Sequence, residues 1–249
     1  HTVVLCILAA FLVMPAPSAI AAPTVPWSPS ALDGGATLDW NTFFGFSGIS
    51  GSGRVAVDAS GNSYVVGYSR SAWGTPIRPT TGGDDVFVVK MDADGRRLWM
   101  TFLGGEDGDY AADVALDEAG NVYVSGISWS AWSCSDAPCT VRPHSDTDPS
   151  FVAKLDPEGN LLWNTFLGGD RYGTNEIYVA IAVHGTDSVY VTGQGSHTWG
   201  TPVRAFTRYN DAFVAGLDSD GNLKWNTFLG GSADDYGTDI ATDRLGNVY

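Results

Sequence analysis

The sequence predicts an all-β protein in which a four-stranded antiparallel unit recurs. Three observations carry that expectation. The segment WNTFLGG stands unchanged at 163–169 and 225–231, with variants at 99–105 (WMTFLGG) and 40–45 (WNTFFG). Its tryptophans, Trp40, Trp99, Trp163 and Trp225, lie 59, 64 and 62 residues apart, and a constant period of that size signals a repeat architecture. The composition agrees: 31 glycines, 12 prolines and a 44% hydrophobic content in 249 residues fit short strands and turns around a real core.

Within each period the apolar runs follow one order. Strand a is VAVD at 55–58, VALD at 114–117, IAVH at 181–184 and IATD at 240–243. Strand b is GNSYVVG at 61–67, GNVYVSG at 120–126 and DSVYVTG at 187–193, with GNVY begun at 246. Strand c is DVFVVKMD at 85–92, FVAKLD at 151–156 and DAFVAGLD at 211–218, and strand d is the tryptophan segment. Three complete sets result, Val55–Phe102, Ala112–Phe166 and Val179–Phe228.

The a–b turns read Asp58–Asn62, Asp117–Asn121 and Asp243–Asn247; the c–d turns read Asp92–Gly95, Asp156–Gly159 and Asp218–Gly221. Aspartate accepts hydrogen bonds from its own turn, and glycine supplies the positive φ that tight hairpins need. The third set departs, with His184 in place of Asp and Asp187 in place of Gly, so its turn is expected to differ. Strands b and c are apolar on both faces and must be covered on both sides. A sandwich would leave one face polar, whereas sheets stacked on copies of themselves form propeller blades. The expected fold is an all-β, incomplete β-propeller of four-stranded antiparallel blades, with three full blades plus partial first and last ones. In it the strand d tryptophans fill the wedge between neighbouring blades. A ring of four to eight blades needs roughly 240–480 residues at about sixty per blade. The chain is therefore expected to form an open arc, whose leading strand Thr37–Phe44 pairs with the terminal remnant or lies at an exposed edge.

The stretches WNTFLGGSADDYGTDIATDRLGNVY and DAFVAGLDSDGNLKWNTFLGG resemble the bacterial SBBP family of β-propeller repeats, and WGTPVRA resembles a common loop form of it. The resemblance covers roughly Trp40 to Tyr249. It implies a propeller of exported or cell-surface bacterial proteins, usually without assigned catalysis.

The N-terminal residues point to export. The chain begins with His1, so its N-terminus is read as incomplete. Val3–Met14 is twelve apolar residues long, too short to span a bilayer but right for a signal-peptide core. Ala19-Ile20-Ala21 fits the small-x-small cleavage pattern, which places cleavage after Ala21. The expected organisation is a signal peptide at 1–21, a leader at 22–36 and propeller repeats over 37–249, truncated at the C-terminus. No membrane span remains after cleavage, and the expected location is secreted, extracellular or cell surface, or periplasmic in a double-membraned host. Cys6 leaves with the signal. Cys134 and Cys139, in CSDAPC, are expected to form a local disulfide; a metal site would need further ligands at regular spacing, and His144 alone is poor support.

The net charge is −15, from 28 acidic and 13 basic residues. With no clustered Lys and Arg, nucleic acid is excluded as a partner class. Antiparallel order puts the b–c and d–a connections on one face. Three b–c loops there share a pattern: WGTPIRP at 73–79, WSCSDAPCTVRP at 132–143 and WGTPVRA at 199–205. Trp73, Trp132 and Trp199 align, as do Arg78, Arg142 and Arg204. As a ligand face, this ring of arginines beside aromatics would take a protein or glycan partner of acidic or sugar character. The structural reading, favoured here, packs each Trp between blades and pairs each Arg with the Asp-rich d–a loops.

No cofactor is expected. Calcium is the alternative, but a loop site wants D-x-D-x-D-G, and DADG and DSDG supply two carboxylates at that spacing. No catalytic or metal-binding set emerges. G-x-S-x-G is absent, with GISGSG at Gly48 a near miss. His144, His184 and His197 are neither paired nor near a common carboxylate in sequence. LDPEGNLLW is like the tryptophan-docking repeat of quinoproteins, although its Asp-to-Gly spacing is one residue short and an adjacent cysteine pair is missing. The functional expectation is an exported repeat module with a structural or binding role. The alternative is the propeller part of a secreted enzyme, quinoprotein-like or carbohydrate-active, with its site elsewhere.

Overall fold

The computed structural model describes residues 41–42, 50–132, 139–169 and 179–249. The chain divides into two compact units, His1–Phe44 and Gly45–Tyr249, and the fold described is that of the second. The expected signal segment and leader lie outside the described residues. So do most of the Thr37–Phe44 strand, and Cys134.

Every regular element among the described residues is a strand, and the strands fall into three antiparallel sheets in chain order. The first holds β1 (Ser50–Val57), β2 (Ser63–Ser69), β3 (Asp85–Met91) and β4 (Arg97–Leu103). The second holds β5 (Asp109–Leu116), β6 (Val122–Ser128), β7 (Ser150–Leu155) and β8 (Leu161–Leu167). The third holds β9 (Val179–His184), β10 (Ser188–Gly195), β11 (Asp211–Asp218) and β12 (Leu223–Leu229). These are the a, b, c and d strands of the three complete sets. One register serves all three: Phe87, Phe151 and Phe213 face Gly67, Gly126 and Gly193, and on the other side Phe102, Phe166 and Phe228.

The two-faced apolar pattern has a direct structural cause. Val122, Val124, Phe151, Ala153 and Phe166 of the middle sheet point into a core shared with Tyr64, Val66, Val86 and Val88 of the first. The alternate residues Tyr123, Val152, Trp163 and Leu167 point the other way, into a core shared with Val189, Val191, Phe213 and Phe228 of the third. Because side chains alternate across a strand, a sheet with a core on each side must be apolar at nearly every position. At about 2 kcal/mol per fully buried large apolar side chain, these two cores dominate the folding energy.

The turns follow the sequence reading. The carboxylate of Asp58 accepts from the Ser60 and Asn62 amides, the Asn62 side chain and Tyr64 Oη. Asp117 repeats that set with Ala119, Asn121 and Tyr123, and Asp243 with Leu245, Asn247 and Tyr249. Asp92, Asp156 and Asp218 accept from the amides two and four residues on. Burial works to raise Asp58 and Asp218, but these hydrogen bonds outweigh it and hold both below the usual carboxylate range. The third a–b turn differs as expected. His184 pairs directly with Ser188, and the positive φ moves forward to Gly185 at 59°.

Residues 231–249 continue the pattern beyond β12. Ile240 packs on Ala180 and Ala182, and a single antiparallel bridge joins Thr242 to Val248 around the Asp243 turn.

Candidate functional site

Two kinds of place gather chemistry-bearing side chains: the tryptophan docks along strand d, and the face formed by the b–c and d–a connections.

In each strand d one residue is extra to the ladder. Leu98, Leu162 and Lys224 are the bulged positions, since Lys90 pairs with Trp99 but Met91 with Arg97, and likewise in the other sheets. A bulge re-aims the residue beside it. Trp99 Nε1 donates to Pro157 O at 2.9 Å, in the c–d turn of the next sheet, and Trp163 Nε1 donates to Ser219 O at 2.9 Å in the one after. The ring lies on the turn glycine. A Cβ on Gly159 would stand 2.8 Å from Trp99 Cε3, and one on Gly221 2.8 Å from Trp163 Cε3. Both glycines hold positive φ, 90° and 81°, so they serve the turn and the dock at once.

On the loop face each b–c connection lays a short segment along the outer edge of strand d. Ile77, Val141 and Val203 donate backbone N–H to Met100, Asn164 and Asn226, while Phe102, Phe166 and Phe228 donate to the carbonyls of Arg78, Arg142 and Arg204. This places the three arginines equivalently. Arg142 donates to Phe166 O and Asp148, and Arg204 to Phe228 O and Gly230 O. The expected partners, aspartates of the d–a loops, are replaced at Arg142 by an aspartate of its own b–c loop and at Arg204 by main-chain carbonyls. The field of Arg78 favours the ionised form of Asp85.

Trp73, Trp132 and Trp199 are buried in equivalent places. Each packs on the phenylalanines of its own sheet: Trp73 on Phe87 and Phe102, Trp132 on Phe151 and Phe166, Trp199 on Phe213 and Phe228. They plug the loop end of each blade, because the shared register stacks two phenylalanines beneath that point. Two of them also reach the neighbouring blade as expected. Trp132 joins the core shared with the first blade, and Trp199 joins the core shared with the second, where it lies against Gly168 and Arg142.

The sequence reading missed the junction carboxylates. Asp84 and Asp148 occupy the same position, three residues before Phe87 and Phe151. Asp84 accepts from Arg70 (3.0 Å) and from Tyr110 Oη of the next sheet (3.0 Å). Asp148 accepts from Arg142 (2.7 Å) and faces His197 Nε2 (3.1 Å), also of the next sheet. His197, unpaired in sequence, thus has a carboxylate partner from 49 residues earlier. His144 contacts Ser128 O and stacks edge-on against Phe166. Beside Asp84, Asp85 and Asp109 are both fully buried. Burial, chiefly, pushes Asp109 up to about 7 and raises Asp85.

For metal, no group of three or more His, Cys, Asp or Glu side chains among the described residues is placed to hold an ion. In DADG and DSDG the carboxylates of Asp92 and Asp218 accept turn amides. Cys139 is buried with Sγ 3.4 Å from Asn164 Oδ1; its expected pairing with Cys134 involves a residue outside those described.

Successive four-stranded meanders that share a core between each pair, docked by one tryptophan at each junction, are blades: the chain is a β-propeller repeat protein. Residues 98–131 and 224–249 match the SBBP family, described as a beta-propeller repeat, and the chain carries repeats of that family. Both stretches run from strand d through the d–a connection into the a–b hairpin, so each includes a strand d tryptophan, Trp99 or Trp225, and a capped turn. A curated relative is an uncharacterized WD repeat-containing protein of Acanthamoeba polyphaga mimivirus, 22% identical over 242 residues. The alignment covers 81% of this chain and 17% of that protein.

Proposed function

We propose that the chain is an exported propeller module with a binding or structural role at the cell exterior, presenting its b–c and d–a loops to a protein or glycan partner and carrying no catalysis of its own. The observation that carries this reading is a constant frame with variable tips. Immediately before strand c the blades carry Gly82-Gly83, Asp146-Thr147 and Arg208-Tyr209 in one structural position. Tyr209 is displayed there, 62% exposed with φ 59°, a conformation that costs a bulky residue on the order of 1 kcal/mol and gains no burial in return. An exposed tyrosine beside an arginine is the composition of recognition hot spots. A constant scaffold with different loop ends is what a binding module needs.

The test is a binding screen of the full chain against glycans and extracellular proteins, with Tyr209→Gly as comparison. Expected is a partner whose affinity drops at least tenfold in the variant. A partner bound equally by both would remove the loop tip from the reading. Export is checked by sequencing the N-terminus of the protein recovered from the medium or cell surface, expected after Ala21. The likeness of LDPEGNLLW to quinoprotein repeats supports a second reading, the propeller part of a secreted enzyme. Trp163 within it docks a blade, so that likeness speaks to architecture, and dehydrogenase and glycosidase assays on the whole protein decide it.

A further inference from the structure

We propose that Asp85 and Asp109 form a proton-sharing pair that latches the first blade to the second, and that removing the shared proton as pH rises loosens this junction. Asp85 opens β3 in the first blade and Asp109 opens β5 in the second. Both are 0% exposed. Between them runs the d–a connection at Gly104, where any side chain would collide with Asp85 Oδ1 and Asp109 Oδ2 alike. The two carboxylates therefore face each other across a glycine, in a place water does not reach.

The donors around them are neutral. Asp85 accepts from the Thr81 hydroxyl (2.7 Å), which in turn contacts Gly105 O, and from the Thr81 and Gly82 amides. Asp109 accepts from the Gly105 amide (2.8 Å), Trp132 Nε1 (2.8 Å) and the Ser128 hydroxyl. The charge facing the pair is Arg78, which favours ionised Asp85; the neighbouring cation Arg70 is engaged with Asp84. One negative charge is thus provided for and the second is not. Two like charges held close in a dry site cannot both ionise without cost, so one proton stays. It belongs to the pair, and Asp109 is the site with the higher affinity.

The next junction is a built-in control. Pro149 stands where Asp85 stands, also two residues before its phenylalanine, so that position carries no carboxylate.

The sign follows from linkage. The folded state keeps a proton that the unfolded chain releases near the ordinary carboxylate value of 3.8, and gives it up only near 7. Stability from this pair is present at low pH, falls as pH rises from about 4 to about 7, and is level above. The turn carboxylates held low, such as Asp58 and Asp243, act below pH 4 with the opposite sign, outside this window.

The experiment follows the Trp132 indole N–H by NMR in the full chain from pH 4 to 9, alongside denaturant unfolding. Expected is an indole signal that titrates near neutrality, with an unfolding equilibrium constant rising up to about a thousandfold across the window. Infrared spectra at pH 6 should show a protonated carboxylic acid. Asp109→Asn should abolish that band and flatten the pH dependence. Should that variant not fold, Asp85→Asn, which leaves the donors of Asp109 in place, should move the indole midpoint downward. A wild-type indole signal flat from pH 5 to 9, or no protonated band at pH 6, would overturn the proposal.

Discussion

The junction between blades one and two and the junction between blades two and three are built from the same repeat, yet they are held differently. The shared part lies on strand d and the c–d turn: Trp99 on Pro157 in one, Trp163 on Ser219 in the other, with one indole hydrogen bond of the same length in each. The divergent part lies in the loops. The first junction uses Arg70, Asp84 and Tyr110, with the Asp85–Asp109 pair beside them; the second uses Arg142, Asp148 and His197, with Pro149 in place of the second acid. The lesson is a division of labour. Packing that must recur is encoded in the period, while the polar contacts are renewed junction by junction.

The sharpest way to break the likeness is at the turn glycines. Gly159→Ala should open the first junction and Gly221→Ala the second, each by about 3 kcal/mol, because a Cβ meets the tryptophan ring and the left-handed backbone is strained as well. Equal losses in chemical unfolding would confirm that the docks are equivalent; a loss at one alone would end the comparison. Reducing a Cys134–Cys139 disulfide should cost about 2 kcal/mol, and mass mapping should show the pair oxidised in exported protein. Trp99→Phe and Trp163→Phe keep the ring and lose the indole hydrogen bond, about 1 to 2 kcal/mol each. Asp148→Asn should act at the second junction alone. It leaves Arg142 and His197 without their carboxylate, at about 1 kcal/mol, with a loss that shrinks in high salt. Arg70→Gln should produce the smallest change, near the scatter of a thermal melt, since its side chain is 58% exposed.

These differences explain what could be read in the sequence. Strands and turns were legible because their causes are local: Asp117 bonds residues two and four positions on, and a strand apolar on both faces announces two neighbours. The position of Trp99 was legible too, but its acceptor is a main-chain carbonyl 58 residues later, which no side-chain pattern marks. The burial of Trp73, Trp132 and Trp199 followed from their repetition. Their placement over phenylalanines of their own blades did not, because it depends on register. Asp85 and Asp109 looked like the remaining aspartates of an Asp-rich chain, and only the fold seals them together. His197 and Asp148 meet for the same reason.

The b–c loops that run beside β4, β8 and β12 have a consequence for how the chain is made. Each covering segment, such as Ile77-Arg78, precedes in the chain the strand whose edge it occupies. When the last strand of a blade leaves the ribosome, its sheath has already been synthesised. The outer rim of a newborn blade is therefore shielded from its own polypeptide, and never offers a nascent neighbour a free strand to zip onto. A repeat protein whose sheets share one register is at special risk of such mispairing. Here the protection lies inside every period, so the hazard does not grow as blades are added.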